Sequence, residues 1–131
     1  MIALDTNVLL RIIVRDDPAQ TKTAVEILRK ARESQEAIHV GDVVLCELVW
    51  NLRDGYGHKR KQIAAVLARI VGAGALHFES KARVEKALSA FLVGKGDFAD
   101  YLILEEAKDE GCRALASFDK KLSRSNPFIF A

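Results

Sequence analysis

Short apolar runs alternate along this chain with longer stretches in which apolar residues return at helical spacing. Ile2-Ala3-Leu4 reads as a buried strand, and residues 37–40, 76–79 and 114–118 supply further strands, with Phe128-Ile129-Phe130 as a short fifth after Pro127. Residues 8–14 are apolar, with Arg11 and Arg15 one helical turn apart, which predicts a short helix beginning near Thr6. Asp17-Pro18 is a helix start, Asp17 as N-cap and Pro18 in the first helical position. The helix it opens reaches Ser34, with Ala24, Val25, Ile27, Leu28 and Ala31 as its apolar stripe and Lys22, Glu26, Arg29, Lys30 and Glu33 facing water. Gly41-Asp42 caps a helix to about Leu52, and Gly55-Tyr56-Gly57 breaks it. A basic amphipathic helix spans residues 58–71 and is closed by Gly72-Ala73-Gly74. Ser80 caps a helix to about Val93, and Gly94-Lys95-Gly96 ends it. The next helix starts at Asp97 and stops at Gly111, a residue suited to a left-handed cap.

Strands separated by helices imply βαβ units and a parallel sheet. The expected architecture is α/β: one three-layer α/β/α domain over residues 1–131, with a central parallel sheet of four to five strands and an inserted helical hairpin near residues 43–72. A sheet covered on both faces has plain apolar strands, and residues 2–4 and 114–116 fit that description.

Composition narrows the function. At 131 residues, half of them hydrophobic, the chain has the size of one domain with a real core. Twenty basic residues against eighteen acidic give a net charge of +2, which neither requires nor excludes a nucleic acid. If several acids gather in one pocket, the remaining surface is more basic than this total. Cys46 and Cys112 are too few for a disulfide framework, and their apolar helical surroundings predict two reduced, mostly buried thiols. No apolar stretch reaches bilayer-spanning length and no signal-peptide pattern opens the chain, so a cytoplasmic location is expected.

The chemistry lies in the acids. Asp5 ends the first strand, at the edge where open α/β sheets bind ligands. Glu47 interrupts an apolar run, Asp97 and Asp100 head a helix, and Asp119 follows the fourth strand. Acids at the edges of apolar elements are costly unless a cation joins them. Each also has an ordinary use. Asp5 and Asp97 suit helix caps, Asp97 and Asp100 are spaced as a capping box, and Asp119 suits a turn. Capping and metal binding are compatible, one oxygen serving each. Glu47 is the hardest to explain otherwise: Val43, Val44, Trp50 and Asn51 share its helical face, and a polar cleft is the expected destination. His39, His58 and His77 lack zinc-ligand spacing, whereas an all-carboxylate pocket suits Mg²⁺ or Mn²⁺. Nucleotide-binding glycine patterns and a Gly-x-Ser-x-Gly elbow are absent.

Four stretches carry a resemblance: Leu4-Asp5-Thr6-Asn7-Val8-Leu9, Leu45-Cys46-Glu47-Leu48, Asp97-Phe98-Ala99-Asp100-Tyr101-Leu102-Ile103 and Ser117-Phe118-Asp119-Lys120-Lys121-Leu122. In this order the chain resembles PIN-domain proteins, and among them the VapC toxins of bacterial toxin–antitoxin pairs. The resemblance implies a parallel-sheet α/β/α fold, divalent-metal-dependent ribonuclease activity, a homodimer and a small antitoxin that binds the active-site region. It places Asp5, Glu47, Asp100 and Asp119 in the acidic quartet and Asp97 as a further frequent acid. Asp42 stands where relatives often carry Ser or Thr, and Asp can still cap.

The mechanism implied is hydrolysis by metal-activated water, with the acids holding Mg²⁺ or Mn²⁺. Thr6, Asn7 and Ser117 would position waters or phosphate oxygens, and Arg11, Arg15, Lys59, Arg60, Lys61, Lys120, Lys121 and Arg124 are candidate RNA phosphate contacts. Rival readings are a non-catalytic PIN-fold module that binds protein or RNA, and a haloacid-dehalogenase-like phosphohydrolase. The second would want an acid where Asn7 stands. A receiver-like domain also gathers acids at strand ends, but its spacing fits poorly.

Overall fold

Asp5 lies two residues beyond β1 (Ile2–Ala3) and caps α1 (Thr6–Ile13), its side chain accepting the Thr6 N–H in extended backbone. In the computed structural model, which describes residues 1–131, the same economy recurs at α2 (Pro18–Glu33). Asp17 accepts the Gln20 N–H at 3.0 Å with Pro18 in the first turn. There follow β2 (Ile38–Val40), α3 (Asp42–Trp50), a π-type turn (Asn51–Gly55), α4 (Arg60–Gly72), β3 (Leu76–Phe78), α5 (Lys81–Val93), α6 (Phe98–Asp109), β4 (Leu115–Ala116), α7 (Lys120–Ser125) and β5 (Ile129–Phe130). Gly111 has φ +79° just after α6, the left-handed stop that its position predicts. None of the helices is long and apolar enough to cross a membrane.

The class is α/β and every strand pair is parallel. The five expected strands are present, hydrogen-bonded as three plus two: β1-β2-β3 in one sheet and β4-β5 in another. The chain divides into two compact units, Met1–Lys81 and Ala82–Ala131. In the first, β2 is the central strand, and Ile38 and Val40 are buried. The row Ala3, His39, His77 crosses the opposite face of the sheet. Ala3 and His77 are exposed there, and His39 and His77 meet through their Nδ1 atoms at 2.9 Å. This face is less covered at Ala3 and His77 than the one that carries Ile38 and Val40. Leu45, Leu48 and Leu52 from α3 and its π turn, with Leu67 of α4, are fully buried.

Helix polarity follows the side-chain arcs more narrowly than the residue pattern suggests. Ala24 and Ala31 are buried and Ile27 and Leu28 partly so, but Val25 is 39% exposed. At 100° per residue Val25 lies well off the arc shared by the other four. The N-cap of α3 is Gly41, not Asp42, and the Asp42 N–H donates to Glu79 Oε1 at 3.1 Å. A Cβ on Gly41 would sit 3.3 Å from that oxygen, so glycine keeps room for a carboxylate arriving from beyond β3. α4 starts at Arg60 rather than His58, with Gln62 Oε1 accepting the Lys59 N–H at 2.8 Å. Cys46 is partly buried, but Cys112 is exposed, contrary to the expectation of burial, because it follows α6 beyond its Gly111 stop. Neither cysteine is in a disulfide.

A polar knot fixes the end of α1. Arg11 Nη1 donates to Asp16 Oδ1 at 2.7 Å and to Tyr56 Oη at 2.9 Å, while the Tyr56 hydroxyl donates to Asp16 Oδ2 at 2.8 Å. The Tyr56 hydrogen bond, seconded by Arg11, holds the Asp16 carboxyl below its ordinary range.

In the second unit Phe98 is fully buried and meets Phe91 edge-on, with ring centroids 6.0 Å apart. Tyr101 Oη accepts the Gly96 N–H at 2.9 Å, which ties the glycine turn to α6. A methyl on Gly94 would collide with Tyr101 Oη and lie 2.9 Å from the Ala90 carbonyl. Gly94→Ala is therefore expected to cost about 1–3 kcal/mol through forced displacement of Tyr101, read as a lower midpoint in urea unfolding. A carboxyl held below its unfolded value adds stability above the carboxylate range, and that contribution disappears as pH falls through its folded value. Tyr56→Phe should return Asp16 toward its ordinary titration, seen as a higher carboxyl midpoint by NMR. An unchanged midpoint would show that Arg11 alone controls it.

Candidate functional site

Within residues 1–81, Asp5 and Glu47 are joined through one residue, Thr6. Thr6 is 4% exposed and is the only buried polar residue. Its backbone N–H donates to Asp5 Oδ1 at 2.8 Å and its hydroxyl donates to Glu47 Oε1 at 3.2 Å. A threonine at the first position of α1 places its N–H and hydroxyl toward different partners, so the β1–α1 corner is locked to α3. Glu47 itself is exposed. Leu45, Leu48 and Val49 take the buried side of α3, while Val43 and Trp50 share the outer side with Glu47. Asn7 is also exposed, on the first turn of α1.

Within residues 82–131, Asp97, Asp100 and Asp119 act on one another. Asp97 is the N-cap of α6, and its N–H donates to Asp100 Oδ2 at 3.0 Å, the reach-back bond of a capping box. Asp119 caps α7, its Oδ1 accepting the Lys121 N–H at 2.9 Å and the Leu122 N–H at 3.2 Å. Ser117 Oγ accepts the Asp119 N–H at 3.1 Å. Burial pushes the Asp100 carboxyl above its ordinary range. The Asp97 N–H opposes this, and the negative charges of Asp97 and Asp119 add to it. Like charges near a half-buried acid are the electrostatic setting that a cation relieves.

The donors are all carboxylate oxygens, the chemistry of a hard divalent ion. Within neither unit do three or more His, Cys, Asp or Glu side chains form a group that could hold a metal ion. The fit to a cation rests on donor type and on the burdened Asp100.

The basic candidates differ in availability. Arg11 is committed to Asp16, Tyr56 and Gln20. Arg15, Lys59, Lys61, Lys120, Lys121 and Arg124 are exposed, and Arg60 is partly so. Two supporting residues escaped the sequence reading, Glu79 as remote cap of α3 and Tyr101 as anchor of the turn before Asp97. Tyr101 had a signal in its place one residue beyond Asp100 in a capped helix start. Glu79 had none, since its partner is distant in sequence.

A family model described as PIN domain matches residues 2–126. A VapC ribonuclease of Aquifex aeolicus (strain VF5) is 27% identical over 121 residues, which span 92% of this chain and 89% of that protein. Among solved structures, the VapC20 toxin of Mycobacterium tuberculosis, described as sarcin-ricin loop cleaving, is similar over 96% of this chain and 95% of its own. The identity is 19% and the TM-score 0.44.

A carboxyl raised above its unfolded value binds its proton more tightly in the native state, so it removes stability as pH rises through the carboxylate range. Asp100→Asn keeps an oxygen for the Asp97 N–H and lifts this penalty. In EDTA at neutral pH the variant should melt above the parent protein, and the difference should vanish at acid pH, where Asp100 is protonated. A variant that melts lower at both pH values would show that the carboxylate contributes more than its burial costs.

Proposed function

The chain belongs to the PIN-domain family, and on that premise we propose that it is a divalent-metal-dependent endoribonuclease acting as the toxin of a toxin–antitoxin pair. The observation that carries this reading is the Asp5–Thr6–Glu47 linkage, in which the backbone N–H of Thr6 holds Asp5 and its buried hydroxyl holds Glu47, an acid from a distant part of the chain. The raised Asp100 carboxyl supports it. Similarity to a VapC ribonuclease over most of both chains supports the choice of RNA as substrate.

In this reading Asp5, Glu47, Asp100 and Asp119 are the acids that would hold Mg²⁺ or Mn²⁺, with Asp97 as helix cap and accessory acid. The bound ion supplies activation of a water molecule and relief of charge on the scissile phosphate. The chain's own residues do the positioning. Thr6 fixes one Glu47 oxygen and orients the Asp5 carboxylate through its N–H. Asp5 and Asp119 each use a single oxygen, Oδ1, for capping, and Asp100 uses Oδ2 for the Asp97 N–H. The second oxygen of each makes no bond in these caps. Asn7 and Ser117 would orient water or a phosphate oxygen. Arg15, Lys59, Arg60, Lys61, Lys120, Lys121 and Arg124 would contact phosphates, while Arg11 is better explained by its structural knot. A cognate antitoxin, a second copy of the chain and a cytoplasmic setting belong to the same proposal.

Purified, antitoxin-free protein should cut total cellular RNA into discrete fragments in Mg²⁺ or Mn²⁺ and leave it intact in EDTA. Asp5→Asn and Glu47→Gln should each abolish cutting, and Thr6→Val should slow it about 10- to 100-fold by freeing Glu47. Intact RNA in every tube, with folded protein and measured metal binding, would favour a non-catalytic PIN-fold module. RNA affinity should also fall steeply with added salt, and a flat salt dependence would remove the lysines and arginines from the substrate contact.

A further inference from the structure

Phe118 is 97% exposed, more than any other large hydrophobic side chain of the protein. Its backbone is not loose. On one side the Ser117 N–H donates to the Phe130 carbonyl at 2.7 Å, which ties the turn to β5. On the other, Ser117 Oγ receives the Asp119 N–H and Asp119 Oδ1 receives two N–H groups of α7. An ordered turn thus holds a flat apolar ring out in water, between the Ser117 hydroxyl and the Asp119 carboxylate.

The surroundings indicate what covers the ring. Lys120, Lys121 and Arg124 follow it, all exposed and none in an ion pair. Lys121 also lines a groove of about 430 Å³ with Lys95, Gly94, Gly96, Tyr101 and Asn126. The acid in that groove, Glu105, is already paired with Lys108 at 3.5 Å. An aromatic face followed by unpaired cations matches a single nucleic-acid strand, whose bases need a π-face and whose phosphates need positive charge. A base inside a duplex has both faces covered by its neighbours and cannot use such a ring.

We propose that Phe118 is a stacking platform for one unpaired base of single-stranded RNA, with Lys120, Lys121 and Arg124 taking the adjoining phosphates. The proposal rests on the ribonuclease reading and refines it: the substrate is single-stranded where it meets Asp119. Phe118 here is a specificity-determining residue and makes no contribution to the hydrolysis itself. The choice of base over protein as occupant follows from the charge. A partner protein seated on an apolar contact has no need of three unpaired cations beside it.

The test uses the full chain, with EDTA present to stop cleavage. The probes are a short single-stranded oligoribonucleotide of mixed sequence carrying 2-aminopurine, and the same strand in a duplex. The parent protein should bind the single strand more tightly than the duplex and quench the 2-aminopurine. Phe118→Ala should weaken single-strand binding about five- to hundredfold and leave the duplex affinity and the melting temperature unchanged. Phe118→Tyr should restore binding and quenching, and Phe118→Leu should not, since leucine keeps apolar area but has no ring. Wild-type affinity in Phe118→Ala or Phe118→Leu would overturn the proposal, the second showing an apolar contact instead of stacking. A change of sedimentation behaviour in Phe118→Ala would also overturn it, identifying the ring as a contact between copies. With Mg²⁺ restored and single-stranded RNA well below saturation, equal cutting by the parent and Phe118→Ala would sink this proposal alone. Failure of the parent protein to bind or cut any RNA would sink the ribonuclease reading with it.

Discussion

A hydroxyl buried where β1 turns into α1 must find an acceptor or destabilise the corner, and Thr6 finds Glu47. That bond fixes α3 against the β1–α1 corner that carries Asp5. The packing around it is apolar and close. Leu4, Leu9 and Leu10 are buried on the β1–α1 side, and Leu45, Leu48 and Val49 on the α3 side. The polar pair therefore has little freedom to rearrange, and two acids far apart in the chain acquire a fixed relation through one threonine.

The acids at the element ends serve the backbone as well as any ligand. Asp5 caps α1, Asp119 caps α7, and Asp97 with Asp100 closes the first turn of α6. Exposed helix N–H groups favour negative charge, so each acid has a local reason to be where it is. This reduces the conflict between stability and a concentration of carboxylates, because helix ends absorb part of the charge. It is incomplete at Asp100, where burial and the nearby Asp97 and Asp119 outweigh the single N–H bond and keep the carboxyl raised. That is the electrostatic state a bound cation would relieve.

The same separation of roles runs through the cations. Arg11 belongs to the architecture: with Asp16 and Tyr56 it ties α1 to the segment after the π turn. The lysines and the arginine of α7 belong to no such network and stand beside an exposed ring. Both groups look alike as charges in a helix-rich chain. Their difference lies in whether a carboxylate from elsewhere reaches them.

Features decided by neighbours within about one helical turn were legible in the amino-acid order alone. The Asp17-Pro18 start of α2, the Gly111 stop of α6, the Asp97–Asp100 capping spacing and the alternation of strands and helices all follow from local backbone rules. So did the positions of the acids, because a carboxylate ending an apolar run is visible in any order of folding. Tertiary structure decided the rest. Val25 left the apolar stripe because burial follows a narrow arc set by what packs on it. Gly41 replaced Asp42 as cap because the Glu79 carboxylate arrives from beyond another strand. The strands paired as three and two, and Thr6 joined Asp5 to Glu47, because hydrogen bonds between distant segments depend on three-dimensional approach, which one-dimensional spacing does not encode.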